Sequence, residues 1–184
     1  MEKEIFVKMK NKSVQKLTQA AIIAGLYAAL TIMQNILVPG SASMAVQFRV
    51  SEVLTILALF TPSAIPGLTV GCIIANISSL ASIGAFDMIF GSIASFFAAL
   101  SMYKLRNARL FKIPFAALFM PALMNGIIVG FEIDFFFVNT YSFDLIDFLI
   151  QGGLVAVGEI AVLFVLGFPL FVTIEKRNLS KKFS

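Results

Sequence analysis

No histidine and no tryptophan occur anywhere in the chain, there is one cysteine, and only 13% of the 184 residues are charged. Without histidine, the usual side chain for acid–base work near neutral pH and the commonest metal ligand are both missing. Neither a metal-ligand cluster nor an activated-nucleophile motif takes its place, which leaves an intramembrane enzyme without its chemical groups. The lone Cys72 cannot form an intrachain disulfide and, set in an apolar run, reads as a small packed hydrophobe. Without tryptophan, anchoring at a membrane surface falls to Tyr and Phe. No G-x-x-x-x-G-K-[ST] loop is present either, so the chain has no P-loop with which to use ATP.

What the chain has is apolar length. Hydrophobic residues make up 59% of it and its mean hydropathy is +0.96, far from the soluble range, so an integral membrane protein is expected. The apolar runs are continuous and rich in Ala, Leu and Ile rather than alternating, which points to helices and not to a β-barrel. They fall at Leu17–Val38, Val50–Thr61, Ala64–Leu80, Met88–Tyr103, Ile113–Ile133 and Leu145–Ile174. The second is too short for a ~30 Å hydrocarbon core unless the polar Gln47–Ser51 stretch joins its helix. The expected fold is an all-α bundle of six transmembrane helices over residues 17–174, between a basic N-terminal segment (1–16) and a basic tail (175–184). The first run is too long, and lacks the cleavage signal, for a removed signal peptide.

Charge placement orients the bundle. Lys3, Lys8, Lys10, Lys12 and Lys16 precede the first run, Lys104, Arg106, Arg109 and Lys112 join the fourth and fifth, and Lys176, Arg177, Lys181 and Lys182 follow the sixth. These are all but one of the 14 basic residues, and six spans put them on one side. The positive-inside rule makes that side, and both termini, cytoplasmic. The acidic connection near Glu132, Asp134, Asp144 and Asp147 then lies outside. Topology and attraction to anionic lipid absorb the basic surplus, so no nucleic-acid partner is expected. No internal repeat is visible, which weighs against the inverted-repeat carriers.

Polar groups at membrane depth are expensive and mark function. Gln47, Arg49, Ser51 and Glu52 crowd the head of the second run, and Arg49 is the one basic residue away from the cytoplasmic side. Arg49 and Glu52 pair locally if the segment is helical, or else line a pocket. Asn76, Asp87, Asn125, Glu132, Gln151 and Glu159 fall at compatible depths, suggesting a cavity open to the outside. Structural alternatives stand beside each: Asp87 as a helix cap, Asn76 and Asn125 as interhelical bridges, Glu132 in the wet loop. Glu159, deep in the longest run with no cation near it in sequence, is the hardest to explain structurally. The first run carries small residues at Ala20, Ala24 and Ala28 beside Ala21, Gly25 and Ala29, a face for bundle packing or for docking another membrane subunit.

The stretches V-Q-F-R-V-S-E-V-L-T (Val46–Thr55), F-T-P-S-A-I-P-G-L-T-V-G-C-I-I-A-N (Phe60–Asn76) and D-M-I-F-G-S (Asp87–Ser92) resemble the QueT-type family of queuosine-precursor transporters, substrate-binding S-components of energy-coupling factor (ECF) transporters. The likeness covers nearly the whole chain. It implies a six-helix protein that takes a 7-deazaguanine precursor from outside and docks on a membrane T-component with two cytoplasmic ATPases. The chain would then need no cofactor, with ATP used by those partners, and Ala20, Ala24, Ala28 and Gly25 would form the docking surface. The expected substrate-binding residues are Gln47, Arg49, Glu52, Asn76, Asp87, Asn125 and Glu159, with Phe48 as a stacking surface. Two alternatives remain open: an ion-coupled carrier that works alone with Glu52 and Glu159 as proton sites, and an S-component for another vitamin or small heterocycle.

Overall fold

The computed structural model describes residues 2–39, 47–77 and 85–177, with side chains from Lys12 onward. The Lys3, Lys8 and Lys10 side chains, the end of the third apolar run at 78–80, and Lys181 and Lys182 lie outside the described residues. Each apolar run carries one helix: α1 (Glu2–Leu37), a 3-10 helix (Val50–Leu59), α2 (Ala64–Ile77), α3 (Phe86–Leu105), α4 (Phe115–Val138) and α5 (Leu145–Lys176). The end of α4 (Ile133–Val138) and the middle of α5 (Leu163–Gly167) wind as π-helix. The N-terminal basic segment is helical and continuous with the first span.

Among the described residues, four segments are long and apolar enough to cross a bilayer: Lys12–Leu37, α3, α4 and α5. The 10-residue 3-10 helix and the 14-residue α2 reach only about 20 Å each at their rises per residue. Large apolar side chains such as Ile22, Leu26, Ile74, Ile93, Phe97, Leu123, Ile127, Val157 and Val165 face outward, an apolar exterior that suits lipid and not water.

Small residues let these helices touch. A Cβ at Gly67 would come 2.8 Å from Ala20 O, and one at Gly71 3.0 Å from Ala24 O, so α2 lies with its glycine row against the alanines of α1. That corrects the docking expectation in part: Ala24 and Ala28 are buried within the chain, and Ala20 packs on α2, whereas Ala21, Gly25 and Ala29 face outward. The α4–α5 crossing is as close, since a Cβ at Gly130 would sit 2.6 Å from Gly152 Cα. An apolar core of Ile23, Tyr27, Ile56, Leu68, Met102, Leu118, Leu163 and Phe171 fills one half of the bundle. At that half's end, Arg109 Nη1 pairs with Glu175 at 2.7 Å and ties the α3–α4 turn to the end of α5.

The second run does not extend its helix backward through Gln47–Ser51 as an α-helix. Gln47–Arg49 is extended, Arg49 having φ −85° and ψ 102°, and the 3-10 helix begins at Val50. At bilayer depth every backbone polar group must be paired internally. Gln34 of α1 meets that need like a neighbouring strand: its Nε2 donates to Phe48 O and its Oε1 accepts from Val50 N at 2.8 Å. On the other side Gly158 of α5 admits the segment, because a Cβ there would run into the Gln47 backbone. Gly158→Ala is therefore expected to cost about 1–3 kcal/mol through overpacking. Thermal unfolding in detergent checks this, with Gly153→Ala, whose Cβ meets nothing within 4 Å, leaving the midpoint in place.

Candidate functional site

Extended backbone alternates its side chains, and here that turns Gln47 and Arg49 inward while Phe48 points out, 46% exposed. The stacking expected of Phe48 finds no support in that orientation. In the 3-10 helix, positions three apart eclipse, so Glu52, Thr55 and Ala58 form one buried row directly below. A polar stripe on α1 meets this segment. Tyr27 OH donates to Glu52 Oε1, Thr31 Oγ1 lies 2.7 Å from Ser51 Oγ, and Gln34 holds the backbone as above.

Arg49 is buried, and its salt bridge reaches out to another helix. Its Nη2 donates to both carboxylate oxygens of Asp87, at 2.9 and 3.1 Å, so its salt bridge is to α3, a partner the spacing of Arg49 and Glu52 does not reveal. Asp87 is likewise no simple cap: it is buried in the first turn of α3, and no side-chain cap closes that helix end. Asn76 of α2 donates to Asp87 O at 2.9 Å, which makes it a bridge that holds Asp87. Gly91, one turn beyond Asp87, leaves room for the group, since a Cβ there would stand 3.1 Å from Asn76 Nδ2 and 3.5 Å from Arg49 Nη1.

Around this ion pair gather three further carboxyl groups, all within electrostatic reach of Arg49: Glu52, Glu132 from α4 and Glu159 from α5. Asn125 of α4 stands beside Glu159. Glu132 is 1% exposed, which corrects the expectation that it sits in the wet loop. Among the described residues, Glu52 Oε2, Glu132 Oε2, Glu159 Oε1 and Asn125 Nδ2 are buried and have no hydrogen-bond partner. A buried polar atom without a partner costs stability, so this cluster carries hydrogen-bonding capacity that its own side chains do not use. Gln151 is half-buried on α5, two turns from Glu159.

The acidic residues of the α4–α5 connection are structural. Asp134 accepts from Asn139 Nδ2 at 2.6 Å and from Asp144 N, and Asp144 caps α5 by accepting from Ile146 N and Asp147 N. A groove of about 400 Å³ between α4 and α5, lined by Phe119, Leu123, Ile127, Leu149 and Ile160 among others, contains none of the charged residues and offers a polar ligand nothing. Tyr27, Thr31 and Gln34 were not among the residues singled out in the sequence. Their signal is their spacing, i, i+4 and i+7, which puts three hydrogen-bonding side chains on one face of an apolar helix.

A multi-pass helical membrane protein with charged and amide groups collected around a buried ion pair is what this fold and this site define. The chain belongs to the QueT transporter family, whose description residues 17–176 match. It is similar to the queuosine precursor transporter QueT of Lactococcus lactis subsp. cremoris (strain MG1363), at 31% identity over 183 residues that cover 94% of this chain and 100% of the relative. No solved structure matches. The resemblance carried by the stretches around Arg49, Pro62 and Asp87 thus holds over the chain as a whole.

Proposed function

We propose that this chain is the substrate-binding S-component of an ECF-type importer and captures a queuosine precursor, a 7-deazaguanine base, from outside the cell. The observation that carries the reading is the set of unpartnered groups around Arg49. A 7-deazaguanine offers a ring N–H beside an exocyclic amine, two parallel donors, and next to them a carbonyl acceptor. Glu159 Oε1 and Glu52 Oε2 are free to accept, and Asn125 Nδ2 is free to donate to the carbonyl. Arg49, held by Asp87, supplies a fixed positive charge beside them. The relative's name supports the substrate class.

In this reading the bundle crosses the membrane six times with both termini cytoplasmic, the two short helices crossing with their ends sheltered by protein. The missing P-loop supports dependence on partners for energy, namely a membrane T-component and two cytoplasmic ATPases. The outward Ala21, Gly25 and Ala29 row supplies a face on which a partner helix can approach closely. The buried carboxylates also suit an ion-coupled carrier that works alone, and reconstitution separates the two. Liposomes holding the chain and its ATPase partners are expected to take up the base only with internal ATP, and Gly25→Leu is expected to abolish that uptake while binding persists. Uptake by the chain alone under an ion gradient would establish the carrier instead.

A further inference from the structure

The face of α1 that carries Tyr27 and Ile23 into the core continues, at the same helical spacing, through Gln19, Lys16 and Lys12. Beyond the apolar packing it forms one wall of a cavity of about 380 Å³, whose other walls are the end of α3 and the turn at Phe60 to Pro62 after the 3-10 helix. Lys12, Lys16 and Arg106 line this cavity, and no acidic side chain stands among the described residues that do so. Nor does any of the three cations have an acidic partner among the described residues. Arg106 is held in place, since its Nη1 donates to Tyr103 O at 2.6 Å and its guanidinium carbon lies 3.7 Å from the centroid of the Tyr103 ring. That uses one N–H of a fork that has five. Gln15, Gln19 and Thr61 add neutral hydrogen-bonding groups to the same walls, Thr61 Oγ1 being 3.3 Å from Gln19 Oε1.

The positive-inside rule accounts for basic residues on this side of the membrane, but not for their convergence on one cavity with Arg106 stacked at its wall. Like charges gathered there repel one another, and an anion removes that repulsion. We propose that this cavity binds the headgroup of an anionic phospholipid, the three cations taking the phosphodiester and Gln15, Gln19 and Thr61 the headgroup hydroxyls. Its level in the membrane favours a lipid. Lys12 and Lys16 precede the exposed Leu17, where the apolar run of α1 begins, and Arg106 follows Leu105, the last residue of α3, so the cavity lies beside headgroups and not in hydrocarbon. The proposed orientation makes this end cytoplasmic, where basic pockets between spans hold anionic headgroups. A soluble phosphate would meet the same cations, but nothing about it requires this level. The inference takes only the orientation from the proposed function and is independent of the substrate.

Native mass spectrometry of the purified chain in a neutral detergent, titrated with phosphatidylglycerol, phosphatidylcholine or inorganic phosphate, tests the site. One phosphatidylglycerol per chain is expected, bound at least about tenfold more tightly than phosphatidylcholine, whose choline cancels the phosphate charge. Lys12→Gln with Lys16→Gln should weaken it roughly 30-fold, the effect of two lysine charges near an anionic headgroup. Both lysines are exposed on α1, so the thermal midpoint should hold. Lys104→Gln with Lys112→Gln removes the same charge from the same side of the membrane but outside the cavity, and should leave the lipid affinity in place. Equal weakening in the two double variants, or equal affinity of the wild type for the two lipids, overturns the site. Inorganic phosphate bound as tightly as phosphatidylglycerol overturns the lipid and makes the occupant a soluble phosphate. Each of these failures leaves the proposed function standing, because no substrate enters the measurement.

Discussion

Arg49→Ala is expected to lower the stability of the folded chain by about 3–5 kcal/mol, the range for removing one partner of a buried ion pair. The cost comes less from the lost attraction than from what stays behind. Asp87 would remain buried opposite an empty site, with Glu52, Glu132 and Glu159 close by and no cation among them. Replacing both members together, as Arg49→Met with Asp87→Leu, removes the uncompensated charge and should restore much of the thermal midpoint in detergent. The double variant should still fail to bind ligand, because the fixed positive charge is gone. If Arg49→Ala melts with the wild type, the ion pair is not what organises this end of the bundle.

Glu159→Gln is the second large effect, and it acts on affinity rather than on folding. The substitution keeps the volume but turns an acceptor-only group into one that also donates. A carboxylate accepting from a ligand N–H loses a charge-assisted bond, about 1.5–3 kcal/mol, or roughly 10- to 150-fold in affinity. Glu159 is buried with Oε1 unpartnered, so its conversion to an amide removes no hydrogen bond at that atom, and the thermal midpoint should hold or rise. Weaker binding with retained stability separates a ligand contact from a structural one.

Hydropathy located the six helices seen among the described residues, because the length of an apolar run and its bounding polar residues are local properties. The identity of the polar cluster was legible for the same reason: Arg49, Asp87, Asn125 and Glu159 are conspicuous in an apolar chain. Their partners were not. The Arg49–Asp87 bridge joins residues 38 positions apart, and nothing in the spacing of Arg49 and Glu52 reveals that the backbone between them changes from extended to 3-10. That change depends on Gln34 acting as a strand and on the missing Cβ of Gly158, both remote in sequence. Glu132 misled because a carboxylate near a run's end reads as solvated, when the fold buries it beside Asp87 and Arg49. The small-residue rows of α1 were visible, but which row meets α2 depends on the placing of Gly67 and Gly71.

The most direct measurement is equilibrium binding of 7-aminomethyl-7-deazaguanine to the purified chain, with no partner protein present, for the wild type and Glu159→Gln side by side. A saturable one-to-one isotherm for the wild type, weakened at least about tenfold in the variant, is the predicted result. Equal affinity in the two would move the site away from Glu159, and no binding by a folded wild type would contradict capture of this base by the chain itself.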